Sequence, residues 1–248
     1  MRLICLTILL LVNPGFSNEQ KKHPRVRDAY QQKEETVRGY FHEKKLSDEK
    51  FSLFIRAFKK ERQLEVWIKE HNKTKYVLLH TYDICSSSGT LGPKRREGDL
   101  QVPEGVYAIN HFNPQSNFHL SLGLNYPNAS DKILSDKNHP GGEIYLHGNC
   151  VTVGCIPITD DKIKELYILA VEAKSNGQAS IPVHIFPCRM DDNGMNSLRR
   201  DFPDDASRIS FWQNLKPIYA DFEKNKVLTD TKVKSDGTYY SDQNPTFN

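Results

Sequence analysis

Residues 144–155 read IYLHGNCVTVGC, an apolar run followed at once by a histidine, two glycines, a threonine and two cysteines. The apolar run has the composition and length of a short strand. The residues after it are those that nucleophilic catalysis requires, because a thiol needs a nearby base and a loop that lets the two approach. This stretch therefore predicts a strand that leads into a loop with a cysteine nucleophile.

Each reactive residue of this loop has a predicted role. Cys155 is the candidate nucleophile, and His147, eight positions earlier, is the candidate base because a tight loop can bring the two together. Gly148 and Gly154 permit close or left-handed backbone approaches, so that amide groups near Gly154 and Cys155 can face an oxyanion. Thr152 supplies a hydroxyl beside them.

Strand-like runs recur around the loop, which favours a β-rich core. Residues 64–69 alternate with period two, and further runs lie at 76–82, 105–112, 118–124, 143–147 and 181–186. After the loop, Thr159 and an acidic first turn predict the start of a helix. The expected fold class is therefore α+β, with a mainly β catalytic core at residues 63–188.

Helical extensions are predicted on both sides of this core. Within residues 18–62, Phe51, Phe54, Ile55 and Phe58 fall at i, i+3, i+4 and i+7 behind Ser47, a favourable N-cap, and so indicate a helix. Residues 189–248 are expected to form a polar turn-rich stretch, an aromatic helix at 209–222 and a hydrophilic tail.

The N-terminus and the charge indicate an exported protein. Arg2 precedes an apolar run at residues 3–12 that is too short to span a bilayer, so residues 1–17 are predicted to be a signal peptide cleaved near Ser17. The mature chain is expected in the periplasm or cell envelope without a membrane span. A net charge of +3 without a concentrated basic face gives no support for nucleic-acid binding.

The cysteines leave several readings open. Cys5 lies in the predicted signal peptide, and export permits disulfides among the rest. If Cys155 must stay free, at most one disulfide forms among Cys85, Cys150 and Cys188. The alternatives are an inert buried cysteine, a metal site or a structural Cys150–Cys155 bridge. No second pair of close ligands accompanies the loop, so we predict no metal and no cofactor.

Further motifs resemble a known family. Gly98-Asp99 with PEGVY at 103–107, and TVGC at 152–155 with the upstream histidine and glycine, resemble the L,D-transpeptidase (YkuD-like) catalytic domain. LNYPN at 124–128 and IPVHIFP at 181–187 resemble its YafK-like murein transpeptidase branch. The resemblance covers about residues 64–188 and rests on the order of the motifs.

The resemblance implies a mainly β core and a reaction on peptidoglycan stem peptides. Cys155 would attack an amide carbonyl and form a thioester, and His147 would take the thiol proton. Transfer to an amine would make a cross-link or attach a wall-linked protein. Transfer to water would make the enzyme a hydrolase, either an L,D-carboxypeptidase or an amidase that releases a wall-linked protein.

A third reading is a peptidoglycan-binding domain that has lost catalysis. The commoner family pattern has histidine where this chain has Val153, and arginine where it has Pro157. These two departures motivate that reading.

Five further residues are candidates for contact with the substrate. Arg95 and Arg96 could pair with stem-peptide carboxylates, although arginines in loops are more often solvated. Glu104 could face the substrate amine or fix a turn. Tyr126 and His119 could line the cleft, against the more ordinary roles of core and strand surface.

Overall fold

A computed structural model describes residues 14–241, in which one eight-stranded sheet forms the core. The order of its strands is β3-β2-β1-β8-β4-β5-β6-β7. The bounds are β1 Phe51–Phe58, β2 Gln63–Glu70, β3 Val77–Asp83, β4 Gly105–Asn113, β5 Ser121–Leu124, β6 Tyr145–His147, β7 Ile156–Pro157 and β8 Ile181–Phe186. This mixed α and β architecture confirms the predicted fold class.

The directions of the strands place the reactive loop at one edge of the sheet. β1 pairs antiparallel with β2 and parallel with β8, which in turn pairs antiparallel with β4. Beyond β4 the sheet continues antiparallel through β5 to β6, and β7 adds to β6 in parallel. β6 and β7 flank residues 148–155, so the loop closes the end of the sheet opposite β3.

Helices cover both faces of the sheet. They are α1 Pro14–Gln20, α2 Pro24–Lys44, α3 Ala129–Leu134, α4 Asp160–Ser175, α5 Asp192–Asp201 and α6 Ala206–Asn225. The main apolar cluster joins α2 and α4 to one face, and Phe41 of α2 meets Phe51 of β1 with ring centroids 5.0 Å apart. On the other face, α5 and α6 pack on the sheet, and Tyr219 of α6 contacts Phe186 at 5.6 Å. After α6 a short hairpin follows, β9 Lys232–Val233 and β10 Tyr239–Tyr240.

The helix predicted through Phe58 is wrong, because Phe51–Phe58 is the strand β1. The cause is that β1 is central and covered on both faces. Leu53 and Ile55 face the cluster with α2 and α4, whereas Phe54 faces α6 and lies 4.9 Å from Phe222. A strand that is apolar on both faces also has apolar residues at i, i+3, i+4 and i+7 by coincidence. It therefore shows the pattern of an amphipathic helix.

The other segments divide into confirmed predictions and elements that were not predicted, among them α3, β7 and the β9–β10 hairpin. The strand-like runs correspond to β2, β3, β4, β5, β6 and β8, and the helices after the loop and at 209–222 correspond to α4 and α6. Part of the stretch expected to be turn-rich after Cys188 forms α5. The apolar run at 3–12 lies outside the described residues, and the domain boundaries stay predictions. Among residues 14–241, none of the helices combines the length and the apolar character that crossing a membrane requires.

Candidate active site

The pairing of β6 with β7 puts the candidate nucleophile and base on the same face of the sheet. The two strands run parallel, with Leu146 opposite Ile156 and His147 opposite Pro157. Because side chains alternate along strands, Leu146 and Ile156 enter the core, and His147 and Cys155 share the other face. The Tyr145 N–H lies 3.4 Å from Cys155 Sγ, which fixes the thiol beside β6.

The ring of His147 is held in the orientation that suits a base. Its Nδ1 lies 2.5 Å from the carbonyl oxygen of Gly148. Because a carbonyl oxygen only accepts, Nδ1 carries the proton and donates the hydrogen bond. Nε2 is then the nitrogen with the free electron pair. The ring is buried and packs on Phe118 with centroids 4.7 Å apart. Burial lowers the pKa of His147, and the bond to Gly148 opposes this only in part.

The surroundings of Cys155 favour the protonated thiol over the thiolate. Burial raises the pKa of Cys155, and the Glu143 carboxylate raises it further, whereas the bond from Tyr145 N–H and the nearby Lys94 ammonium lower it. The Sγ–H points toward the carbonyl oxygen of Glu143 at 3.6 Å. Together with a neutral imidazole, this favours a thiol that loses its proton only as it attacks, with His147 as general base.

The lowered pKa of His147 predicts where the rate of catalysis falls on the acid side of the pH profile. A general base works only when neutral, and the pKa of His147 is held below its usual 6.5. We therefore expect kcat/KM to fall on the acid side with a midpoint below pH 6.5. Measuring kcat/KM from pH 4.5 to 8.5 tests this, and a midpoint at or above 6.5 would contradict a buried neutral imidazole.

The loop between these residues depends on two glycines and one hydroxyl. A Cβ at Gly148 would lie 2.5 Å from Asp160 Oδ1 and 2.8 Å from the Phe118 carbonyl. Gly154 has φ +132°, and a Cβ there would lie 3.1 Å from the carbonyl oxygen of Gln101. Thr152 Oγ1 accepts from Gly154 N–H at 3.1 Å and donates to the Cys155 carbonyl at 2.8 Å. The hydroxyl thus braces the turn that presents the thiol.

A disulfide joins Cys85 to Cys150 and ties this loop to the segment after β3. Cys155 and Cys188 are free thiols. The alternative of a Cys150–Cys155 bridge is therefore wrong, and the sulfur of the candidate nucleophile Cys155 is unbridged. Within the described part of the chain, no group of three or more His, Cys, Asp or Glu side chains is placed to hold a metal ion.

Cys155 opens into a cleft of about 650 Å³. Three loops line it, and they contribute charged, polar and aliphatic side chains. The lining residues are Lys94, Glu97, Gly98, Leu100, Asn138, His139, Pro140, Gly141, Gly142, Glu143, Ile144, Val153 and Cys155. Sequence reasoning missed the loop at 138–144, although its His-Pro-Gly-Gly turn directly before a strand was a signal for a functional loop.

Glu104 does not reach this cleft, so the predicted contact with a substrate amine is corrected. Its side chain is fully buried, and its carboxylate lies 2.8 Å from Lys59 Nζ. It also accepts from Gly92 N–H at 2.6 Å and from Trp212 Nε1–H at 2.7 Å. Glu104 thus joins the loop before β4 to the residue after β1 and to α6. This structural role is similar to the predicted alternative, in which Glu104 fixes a turn.

Removing this carboxylate is expected to affect folding. Glu104→Ala leaves Lys59 and Trp212 without their buried partner, which typically costs about 3–5 kcal/mol. Urea unfolding should show that loss. The matched control is Glu97→Ala, an exposed carboxylate of the same loop, which should change the free energy of unfolding by less than about 0.5 kcal/mol. Equal stability of the two variants would contradict the structural role.

Tyr126 and His119 also lie outside the lining of the cleft. Tyr126 is buried and donates from its hydroxyl to the Pro140 carbonyl at 2.8 Å, so it supports the 138–144 loop from behind. His119 has φ +71°, and its Cβ lies behind Gly148, 3.1 Å from where a glycine Cβ would be. Tyr126 therefore supports the loop and does not line the cleft, which corrects its predicted place, whereas contact of His119 with the substrate stays a prediction.

The two arginines differ in their surroundings. Arg95 pairs with Asp131 at 3.2 Å and lies over the Phe211 ring at 5.0 Å, facing a separate groove beside α6. Arg96 is exposed, and its backbone N–H donates to Asp99 at 3.0 Å. Contact of either guanidinium with a stem peptide stays a prediction.

Comparison with known proteins identifies the family. Residues 53–185 match the model of the L,D-transpeptidase catalytic domain, YkuD. The chain belongs to this family. It is 36% identical over 177 residues to YafK of Escherichia coli K12, a protein named provisionally as an L,D-transpeptidase, and the match covers 70% of this chain and 68% of YafK. Membership of the L,D-transpeptidase family indicates an enzyme that modifies peptidoglycan in the bacterial cell envelope.

Two solved structures are similar to the chain. The helical cell shape determining protein Pgp2 from Campylobacter jejuni aligns over 75% of this chain and 73% of its own, with 18% identity and a TM-score of 0.45. Bd1075 from Bdellovibrio bacteriovorus aligns over 74% of this chain and 65% of its own, with 25% identity and a TM-score of 0.40.

Proposed function

We propose that this protein is an exported L,D-transpeptidase that uses Cys155 to form a thioester with a peptidoglycan stem peptide and passes it to an amine. The observation that carries the proposal is the arrangement at the end of the sheet. A free thiol opens into the cleft, and a buried histidine on the same face of the sheet has its Nδ1–H bound to a backbone carbonyl. Both lie within the region that matches the catalytic domain.

The first half of the reaction transfers the acyl group to sulfur. His147 Nε2 takes the thiol proton as Sγ attacks the amide carbonyl, and the same proton then goes to the leaving amine as the C–N bond breaks. The oxyanion is stabilised by backbone N–H groups beside Cys155. The Gly154 N–H is engaged by Thr152 in the free protein, so Cys155 N–H is the leading donor.

The second half returns the thiol. An acceptor amine gives its proton to His147 and attacks the thioester, the new C–N bond forms as the C–S bond breaks, and the proton returns to sulfur. A diaminopimelate side chain would give a cross-link, and an amine of a wall-linked protein would give attachment. Water in place of the amine would give hydrolysis.

Export is part of the proposal. The apolar run at 3–12 has the form of a signal peptide, and a disulfide such as Cys85–Cys150 forms in oxidising compartments outside the cytoplasm. Both features support a location in the periplasm or envelope.

Incubation with purified muropeptides tests the proposed function. Mass analysis of the products should show cross-linked dimers or amine-exchanged stems that depend on Cys155. Shortened stems alone would assign the protein to the hydrolases. No product together with an unmodified Cys155 would favour a binding domain without catalysis.

A further inference from the structure

Two exposed aliphatic side chains border the cleft beside the thiol. Val153 is 76% exposed and Leu100 is 49% exposed, and both line the same cleft as Cys155. They come from different loops that touch each other, because Gly154 packs against the backbone of Gln101. Single exposed aliphatic residues are ordinary on a protein surface, but two that converge on a nucleophile are not.

Leu100 is held in place at a conformational cost. Its φ is +59°, in the left-handed region that leucine rarely adopts, and such a residue costs about 1 kcal/mol or more. The Asp99 carboxylate maintains the turn by accepting from Gln101 N–H at 3.0 Å, and Ser88 Oγ donates to the Leu100 carbonyl at 2.8 Å. The neighbouring bonds thus keep an apolar side chain in the cleft.

We propose that Leu100 and Val153 form an apolar clamp that packs on the aliphatic side chain of the acyl residue and keeps water from the thioester. The clamp rests on the proposed function, and it makes these two residues determinants of the ratio of amine transfer to hydrolysis. Each side chain is exposed in the free protein, so contact with an alkyl chain removes apolar surface from water on both partners.

The clamp affects which of two reactions the thioester undergoes, transfer to an amine or hydrolysis. In transfer, the amine nitrogen bonds to the acyl carbon, the C–S bond breaks, and the amine proton returns to sulfur. In hydrolysis, a water oxygen bonds to the same carbon, and the products are the free carboxylic acid and the thiol. Covering the acyl group lowers the access of water, whereas an amine carried on a bound stem peptide is delivered by its own contacts.

The test uses polar replacements that fit each backbone. Leu100→Asn suits the left-handed conformation and removes the aliphatic contact, and Val153→Thr keeps the shape and adds a hydroxyl. Leu100→Met and Val153→Ile keep the apolar contact. Val77→Thr is the matched control, since Val77 is 40% exposed on β3, at the opposite edge of the sheet.

Two quantities are measured after acylation with a stem peptide. The first is the rate at which the thioester is lost without acceptor, and the second is the ratio of transferred to hydrolysed product at a fixed acceptor concentration. We expect each polar variant to lose the thioester about fourfold faster, which corresponds to the loss of about one buried methylene contact. The double variant should lose the thioester faster than either single variant. The ratio of transferred to hydrolysed product should fall by the same factor as the rate of thioester loss rises. Both apolar variants and Val77→Thr should stay within twofold of the wild type, with unchanged unfolding midpoints.

The outcomes separate the clamp from the proposed function. If the wild type forms a thioester and the polar variants share its lifetime and product ratio, the clamp is wrong and the proposed function stands. If the wild type forms no thioester on Cys155, the proposed function is wrong and the clamp with it. If Leu100→Asn unfolds, Val153→Thr alone decides the question.

Discussion

Cys155→Ala is expected to reduce turnover of stem peptides by about 10⁴-fold or more, because removing a catalytic nucleophile leaves only binding and oxyanion stabilisation. The thiol lies at the cleft, and without it the proposed general base His147 has no thiol proton to accept. Product formation by liquid chromatography with mass detection measures the effect. The free energy of unfolding should change little, since Cys155 is only partly buried.

Cys188→Ala is the matched control for this variant. Cys188 is the other free thiol of the described chain, and it is buried in the cluster below α5 and α6. Burial raises the pKa of Cys188 to about 12, so it does not supply a thiolate. We expect full activity in this variant. Activity above a tenth of the wild type in Cys155→Ala would contradict the assignment of the nucleophile.

Removing the disulfide is expected to give a large loss of stability. The bond between Cys85 and Cys150 closes a separation of 65 residues, and its loss should cost about 4 kcal/mol through the entropy of the unfolded chain. The double variant Cys85→Ser, Cys150→Ser should also lower kcat, because the loop with the thiol loses its anchor. Urea unfolding and initial rates measure the two effects.

Reductant provides the control for the disulfide. Dithiothreitol should reduce the stability of the wild type toward that of the double variant, and it should leave the double variant itself unchanged. A difference of less than about 1 kcal/mol between oxidised wild type and double variant would contradict a stabilising role of the bond.

The sequence predicts the chemistry of the loop better than its surroundings. His147, Thr152 and Cys155 are close in the chain, so their types and spacing already carry the prediction of a thiol and a base. The partner of Cys150 lies far away in the sequence, and with three cysteines available nothing in the chain selects Cys85. Glu104 shows the same limit, because its partners Lys59, directly after β1, and Trp212 of α6 are distant in the sequence.

Burial explains the main error about the fold. Residues 64–69 alternate visibly although β2 is covered on both faces, because one face carries Glu65 and Trp67, which contact Arg56 and Phe222, and β2 was predicted. β1 is covered by helices on both faces, so its apolar residues occur at both periods and a helix fits them equally well. The predicted lining of the cleft was likewise incomplete. The loop at 138–144 reaches Cys155 only because β5 pairs with β6, and this pairing is not visible in the sequence.

Cys155 is proposed to carry the acyl group of a peptidoglycan stem peptide. The most direct measurement is peptide mapping of the intact protein after incubation with a muropeptide and an acid quench. We expect the peptide that contains Cys155 to gain the mass of the acyl fragment and to lose it on mild alkaline treatment, as a thioester does. The peptide that contains Cys188 should gain no mass. An acyl group on any other residue, or turnover with Cys155 blocked by an alkylating agent, would contradict it.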